Sequence, residues 1–127
     1  MRVRVLVVDD EPDVEVLFRQ QFRREVREGL YLLDFALSGE AALDKLQGCV
    51  GEEIILLVSD INMPGMSGLE LLRHIKEKHK LPPPMVMMIT AYGDAENYNT
   101  AMKLGADDFL TKPLEFSLLK EKLKAIH

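Results

Sequence analysis

Cysteine is almost missing from this sequence: Cys49 stands alone among 127 residues. That excludes a disulfide framework and a thiolate metal centre, and a lone thiol suits a reducing intracellular compartment. Long apolar runs are missing as well, with none near the ~18 residues that a membrane span needs. Arg2 and Arg4 alternate with valines at the N-terminus, and Asp9 arrives before any signal-peptide apolar region could form. The chain therefore reads as cytoplasmic and free of the membrane. Positive charge is short: 16 Lys and Arg face 21 Asp and Glu, for a net charge of −5. Nucleic-acid affinity rests on neutralising phosphates, so this segment is not expected to bind nucleic acid directly. Repeats, low-complexity tracts and obvious linkers are absent. The simplest organisation is one domain over 1–127, large enough to bury a core without staples.

What is present is an alternation of strand and helix patterns, five times over. Residues 3–8 read as a buried strand. Pro12 suits the first turn of a helix, with Val14, Leu17, Phe18, Phe22 and Val26 at helical spacing to about Gly29. Tyr31 to Ala36 is a second strand, and Ser38 caps a helix carrying Ala41, Ala42 and Leu46 to about Gly48. The third strand covers 54–59. Ser67 with Glu70 then makes a capping box for a helix with Leu69, Leu72 and Ile75 on its apolar face. Pro82-Pro83-Pro84 stops that helix and leads into the fourth strand. Asp94 caps a fourth helix with Ala95, Tyr98, Ala101 and Met102 inward, which Gly105 ends. A short strand near Asp108–Leu110 precedes a last helix lined by Leu118, Leu119, Leu123 and Ile126. Strict alternation implies parallel strands, right-handed crossovers and helices on both faces.

Four of the apolar runs end in a polar residue. Val5 to Val8 meets Asp9-Asp10, and Ile54 to Ser59 meets Asp60. Met85 to Ile89 meets Thr90, and Phe109-Leu110-Thr111 meets Lys112-Pro113. In an open parallel sheet, chemistry gathers outside the carboxyl ends of the strands. Three carboxylates, a hydroxyl and an amine at one edge suit a divalent metal, an aspartyl nucleophile and a phosphoryl group. Asp9-Asp10 alone could be a polar strand end, but Asp60 closes a run that should be buried on both faces. Carboxylates ~4 Å apart repel by roughly 4 kcal/mol per pair at an effective dielectric near 20, and a cation relieves that. Mg²⁺ fits best, since it favours carboxylate oxygens and bridges to phosphate; no calcium-type loop of regularly spaced ligands is present.

Other residues have plainer alternatives. Lys112 could be a solvated lysine, but Pro113 fixes the backbone beside it, and the Lys112-Pro113 peptide is a candidate cis bond. Thr90 could be an ordinary β-branched strand residue. Ala91 after it leaves room for a phosphoryl group beside the carboxylate. Met85, Met87 and Met88 read as strand core. His74, His79 and His127 have no metal-like spacing. Arg19, Arg23, Arg24 and Arg27 read as a solvated helix face with partner docking as the alternative, and Lys120, Lys122 and Lys124 read likewise.

In order along the chain stand Leu6-Val7-Val8-Asp9-Asp10-Glu11-Pro12, Ser59-Asp60-Ile61-Asn62-Met63-Pro64-Gly65-Met66-Ser67-Gly68, Ile89-Thr90-Ala91 and Gly105-Ala106-Asp107-Asp108-Phe109-Leu110-Thr111-Lys112-Pro113. This set resembles the receiver domain of two-component response regulators over essentially the whole chain. The resemblance implies a flavodoxin-like doubly wound sheet of five parallel strands in order 2-1-3-4-5. It implies Asp60 as phosphoacceptor, Asp10 as direct metal ligand, Asp9 as a water-mediated one and Asn62 as a ligand through its carbonyl. Thr90, Ala91 and Lys112 would contact the phosphoryl group. The implied cofactor is Mg²⁺, with Mn²⁺ as the alternative. Phe109 falls at the family's switch aromatic, often Tyr, so any hydrogen bond from that hydroxyl is lost. From composition alone Phe109 is a core aromatic. The implied donor is a sensor histidine kinase or a phosphotransfer protein. An output domain beyond His127 and a homodimer through the fourth helix, last strand and last helix are left open.

The implied function is a signalling receiver, not a turnover enzyme, that phosphorylates and dephosphorylates itself at Asp60 and changes conformation to control an output. The nearest enzymatic rival is a haloacid-dehalogenase-type phosphohydrolase, which resembles an Asp-x-Asp pair after the first strand. Here the second position is Asn62, which cannot act as general acid, and the pair follows the third strand. A non-phosphorylated interaction module is disfavoured because all five site positions are filled. A flavin-binding electron carrier lacks its Ser/Thr/Gly-rich phosphate loop after strand one.

Overall fold

A computed structural model describes residues 3–47, 54–77, 85–90, 95–112 and 114–126. Among these, β1 (Val3–Val8), β2 (Tyr31–Ala36), β3 (Ile54–Asp60), β4 (Met85–Thr90) and β5 (Asp108–Thr111) form one parallel sheet in the order β2-β1-β3-β4-β5. The helices are α1 (Pro12–Gln21), α2 (Arg23–Arg27), α3 (Gly39–Gln47), α4 (Gly68–Glu77), α5 (Ala95–Lys103) and α6 (Phe116–Ile126). This is the doubly wound, flavodoxin-like arrangement that the resemblance implied, and the alternation required its parallel strands and two helical layers. Gly48, Cys49, Pro82-Pro83-Pro84 and Asp94 lie outside the described residues, as does the side chain of Ile126. No helix among the described residues is long and apolar enough to cross a membrane.

The strands are apolar on both faces because each face is covered. Val3, Val5, Val7, Leu56, Val58, Met87 and Ile89 pack with Phe18, Phe22, Leu119 and Leu123 of α1, α6 and the turn between α1 and α2. Leu6, Val8, Leu57, Val86 and Met88 pack on the other face with Ala42, Leu46, Leu71, Leu72, Ile75 and Ala101 of α3, α4 and α5. Adjacent strand residues point to opposite faces, so one continuous apolar run feeds two cores. Each fully buried side chain of this size contributes about 1.5–3 kcal/mol. Loss of either layer would therefore exceed the marginal stability of a small domain.

Local signals mostly do what their chemistry demands. Pro12 opens α1, the Ser38 hydroxyl accepts the Ala41 N–H (3.1 Å), and the Ser67 hydroxyl accepts the Glu70 N–H (3.2 Å). Gly105 (φ +93°) turns the chain after α5 in the left-handed region open to glycine.

Three helical expectations need correction. The first helix does not run unbroken to Gly29. It bends at Phe22 (φ −105°, ψ 12°), where the ring turns inward to stack on Phe18. Leu17 (47% exposed) and Val26 (40%) face outward, because the i, i+4 stripe through Val14, Phe18 and Phe22 already fills that side. On α5 only Ala101 is buried, whereas Ala95, Tyr98 and Met102 are exposed; on α6 Leu119 and Leu123 are buried and Leu118 is exposed. A short helix on a flat sheet buries one narrow stripe, narrower than its apolar content suggests.

Candidate functional site

Strand register sets the geometry of the carboxyl edge. Val8 of β1 lies opposite Ser59 of β3, so Asp9 and Asp60, one residue further, lie level. Asp60 lies opposite Ile89, which places Thr90 one step beyond it. Thr90 lies opposite Thr111, and Lys112 follows. The edge thus climbs across the sheet from two carboxylates to a hydroxyl to an amine. Asp9, Asp10 and Asp60 each offer a carboxylate oxygen within 4.8 Å of the others.

Asp9, Asp60, Thr90 and Lys112 are held by hydrogen bonds. Asp9 (9% exposed) accepts the Glu11 N–H at 3.0 Å, and its own N–H donates to the Ala36 carbonyl at 3.1 Å. Asp60 (4% exposed) accepts the Asn62 N–H through Oδ1 at 3.3 Å and the Lys112 ammonium through Oδ2 at 2.8 Å. Thr90 is buried, and its hydroxyl donates to the Leu110 carbonyl at 3.5 Å, the limit of useful geometry. The Thr90 carbonyl accepts the Lys112 N–H at 2.8 Å, which holds the lysine backbone against β4. Ala91 and Pro113 lie outside the described residues, as do His79 and His127.

Charge is unbalanced at this edge. Burial pushes the Asp9 carboxyl above its ordinary value; the Glu11 N–H opposes this, Asp60 reinforces it, Lys112 opposes it and Asp10 reinforces it. The hydrogen bond to Asp60 raises the Lys112 ammonium above its ordinary value against partial burial, with further attraction from Asp60, Asp9 and Glu11. Among the described residues, these three carboxylates share one lysine, whose bond goes to Oδ2 of Asp60. Oxygen donors and an uncompensated negative charge are what Mg²⁺ or Mn²⁺ selects, so the residues present fit such an ion.

Two contributors escaped the sequence reading as site elements. A Cβ on Gly68 would overlap the Asp60 carbonyl oxygen and lie 2.8 Å from Ile61 Cα. The start of α4 can therefore press against the strand end, where the Gly68 N–H donates to the Ile61 carbonyl at 2.8 Å. The signal was a glycine directly after the capping Ser67. The second is Tyr98, whose ring packs on half-buried Phe109 with centroids 4.1 Å apart at 51°. No spacing rule pairs a helix residue with a strand residue this way, and Phe109 is not the core aromatic its composition suggests.

The fold and this edge define a doubly wound α/β protein with an acidic site at the carboxyl ends of its strands. The model of the response regulator receiver domain matches residues 5–124, and the chain belongs to that family. It is 37% identical over 94% of its length to the response regulator protein PilR of Pseudomonas aeruginosa, covering 25% of that protein. It is 34% identical over 98% of its length to the response regulator RppA of a Synechocystis strain, covering 50% of it. The chain thus spans a quarter to about half the length of these relatives. Among solved structures, a response regulator receiver protein from Pseudomonas putida superposes with a TM-score of 0.83 at 26% identity, covering 98% of each chain. The chemotaxis protein CheY4 of Vibrio cholerae superposes with a TM-score of 0.82 at 24% identity over the full length of both, a likeness of fold.

Proposed function

We propose that this chain is a single receiver domain over 1–127 that accepts a phosphoryl group on Asp60 from the phosphohistidine of a sensor kinase or phosphotransfer protein. The observation that carries this is the placement of the buried Asp60, with one oxygen on Lys112 at 2.8 Å and a carboxylate oxygen within 4.8 Å of Asp9 and Asp10. Asp10, Asp60 and the Asn62 carbonyl would hold Mg²⁺ or Mn²⁺ directly, with Asp9 through water. The ion, when bound, neutralises charge on the transferring group. A carboxylate oxygen of Asp60 attacks phosphorus, the P–N bond breaks and its electron pair returns to the imidazole. The product is an acyl phosphate on Asp60.

The conformational response follows from what the new group draws in. Lys112 moves from the bare carboxylate to a phosphoryl oxygen, and the Thr90 hydroxyl leaves its long bond to Leu110. Each charge-assisted hydrogen bond contributes about 1.5–3 kcal/mol. Two approach the ~5.5 kcal/mol that inverts a 1:99 equilibrium. Thr90 and Phe109 carry the response to the face of α5, β5 and α6. Exposed Tyr98, Met102 and Leu118 support that face as a homodimer contact. An output domain is a further proposal, supported by relatives longer than this chain.

The reading is of a signalling receiver whose chemistry is confined to its own Asp60. Intact-mass spectrometry after incubation with acetyl phosphate tests it. The wild type should gain one Mg²⁺-dependent phosphate adduct, and Asp60→Asn, which keeps the shape without the nucleophile, should gain none. A Mg²⁺-dependent adduct on Asp60→Asn, or steady turnover of p-nitrophenyl phosphate, would overturn the assignment.

A further inference from the structure

Two charge runs that are unrelated in the sequence meet in space. Arg23, Arg24 and Arg27 around α2 and Lys120 and Lys124 of α6 line one groove of about 570 Å³. Helices α1 and α6 both start at the carboxyl edge and run back along the sheet, so this groove lies toward the end of the fold away from Asp60.

The groove is built on an ion pair that ties the two helices together. Lys120 Nζ lies 2.8 Å from Glu25 Oε2 and 5.2 Å from the centre of the Phe22 ring. A second pair, Arg24 with Glu28 at 3.3 Å, is exposed. These pairs match both glutamates of the groove. Arg23, Arg27 and Lys124 are exposed and have no acidic partner among the described residues.

A solvated face explains this poorly. Arg23 and Arg27 are four apart on α2, a spacing at which like charges repel. The chain already carries a net charge of −5, which keeps it soluble without a cationic face. Concentrating unmatched cations at one place on an acidic protein favours a negatively charged partner.

The remaining chemistry narrows the partner. Glu25 and Glu28 interrupt the positive surface, which disfavours a continuous phosphate backbone. The unmatched cations belong to two separate helices along one groove, which suits an extended partner better than a compact anion. Leu30, 47% exposed, lines the same groove and offers an apolar contact that a phosphate chain would not use. We propose that the groove between α2 and α6 docks an acidic, partly apolar peptide segment of a partner protein, its carboxylates on Arg23, Arg27 and Lys124 and an apolar side chain against Leu30. Arginine in such a place binds carboxylate through paired donors. The proposal stands independently of the role of Asp60.

A random-peptide display selection against the wild type, with counter-selection on the double variant R23E/R27E, tests it. Peptides rich in Asp and Glu with at least one large apolar residue should be enriched. Two enriched peptides, synthesised and titrated into isotope-labelled protein, should shift amides of α2 and α6. They should bind at least tenfold more weakly to R23E/R27E and to K124E, and more weakly at high salt. Both variants change exposed residues and should melt like the wild type and still accept phosphate from acetyl phosphate. Enrichment without acidic bias, equal binding to the variants, or tighter binding of a duplex oligonucleotide than of the peptides would overturn the proposal.

Discussion

Lys112 Nζ lies 2.8 Å from Asp60 Oδ2, although 52 residues separate the two along the chain. Strand β4 stands between their strands, and register closes the gap. The lysine is 48% exposed while Asp60 is 6% exposed at its side chain, so a solvent-facing cation screens a nearly buried anion. A partner that is both charged and movable is what an acceptor carboxylate needs before and after it gains a phosphoryl group.

Lys112→Ala should still accept phosphate from acetyl phosphate, but about 10- to 150-fold more slowly, the equivalent of one charge-assisted hydrogen bond. The phosphorylation-induced spectral change should be largely lost. Because the folded pKa of Lys112 is raised above 10.5, its contribution is complete at neutral pH and fades only as pH rises through that raised value. Unchanged spectral shifts in the variant would argue against the contact.

Asp10→Asn should raise the melting temperature without metal and weaken Mg²⁺ binding. It removes one of three clustered carboxylates, and the Lys112 ammonium beside them is already committed to Asp60. Mg²⁺ should stabilise the wild type by an amount that grows with its concentration over the dissociation constant. Melts with and without millimolar Mg²⁺ check both halves. A variant less stable without metal that kept the whole Mg²⁺-induced rise would remove Asp10 from the ligand set.

Gly68→Ala should destabilise the fold by about 1–3 kcal/mol through overpacking, since the added carbon meets backbone that cannot rotate away. Displacing the Asp60 carbonyl should also weaken Mg²⁺ binding. Chemical denaturation and a Mg²⁺ titration give the two readings. Wild-type values in both would mean that α4 shifts freely.

Asp34 gives a pH prediction remote from the site. Burial pushes its carboxyl up, but hydrogen bonds from Lys45 (2.7 Å) and the Phe35 N–H, with attraction from Lys45 and Arg4, leave it below the ordinary 3.8. A depressed folded pKa means stability present above the unfolded value and lost as pH falls through the folded one. Lys45→Ala should lower stability at pH 7 by about 0.2–1 kcal/mol, the range for partly exposed pairs. The difference from wild type should vanish at the acid end of a denaturation series.

Much of this protein was determined by its sequence alone. Strand and helix periods, Pro12, Ser38 and Ser67 as helix starts, and a polar residue after four of the apolar runs are local properties, set by backbone sterics and capping chemistry. They suffice to put Asp9, Asp10, Asp60, Thr90 and Lys112 at strand ends. Tertiary structure decided what depends on register and on helix rotation. It brought the Asp60 carboxylate to Lys112, required Gly68 beneath Asp60, turned Leu17, Tyr98 and Leu118 outward, laid Tyr98 on Phe109 and joined the arginines of α2 to the lysines of α6. Spacing along one element sets its own periodicity, but which stripe is buried depends on the width of the surface it meets. That width is a property of the assembled sheet, which no single segment encodes.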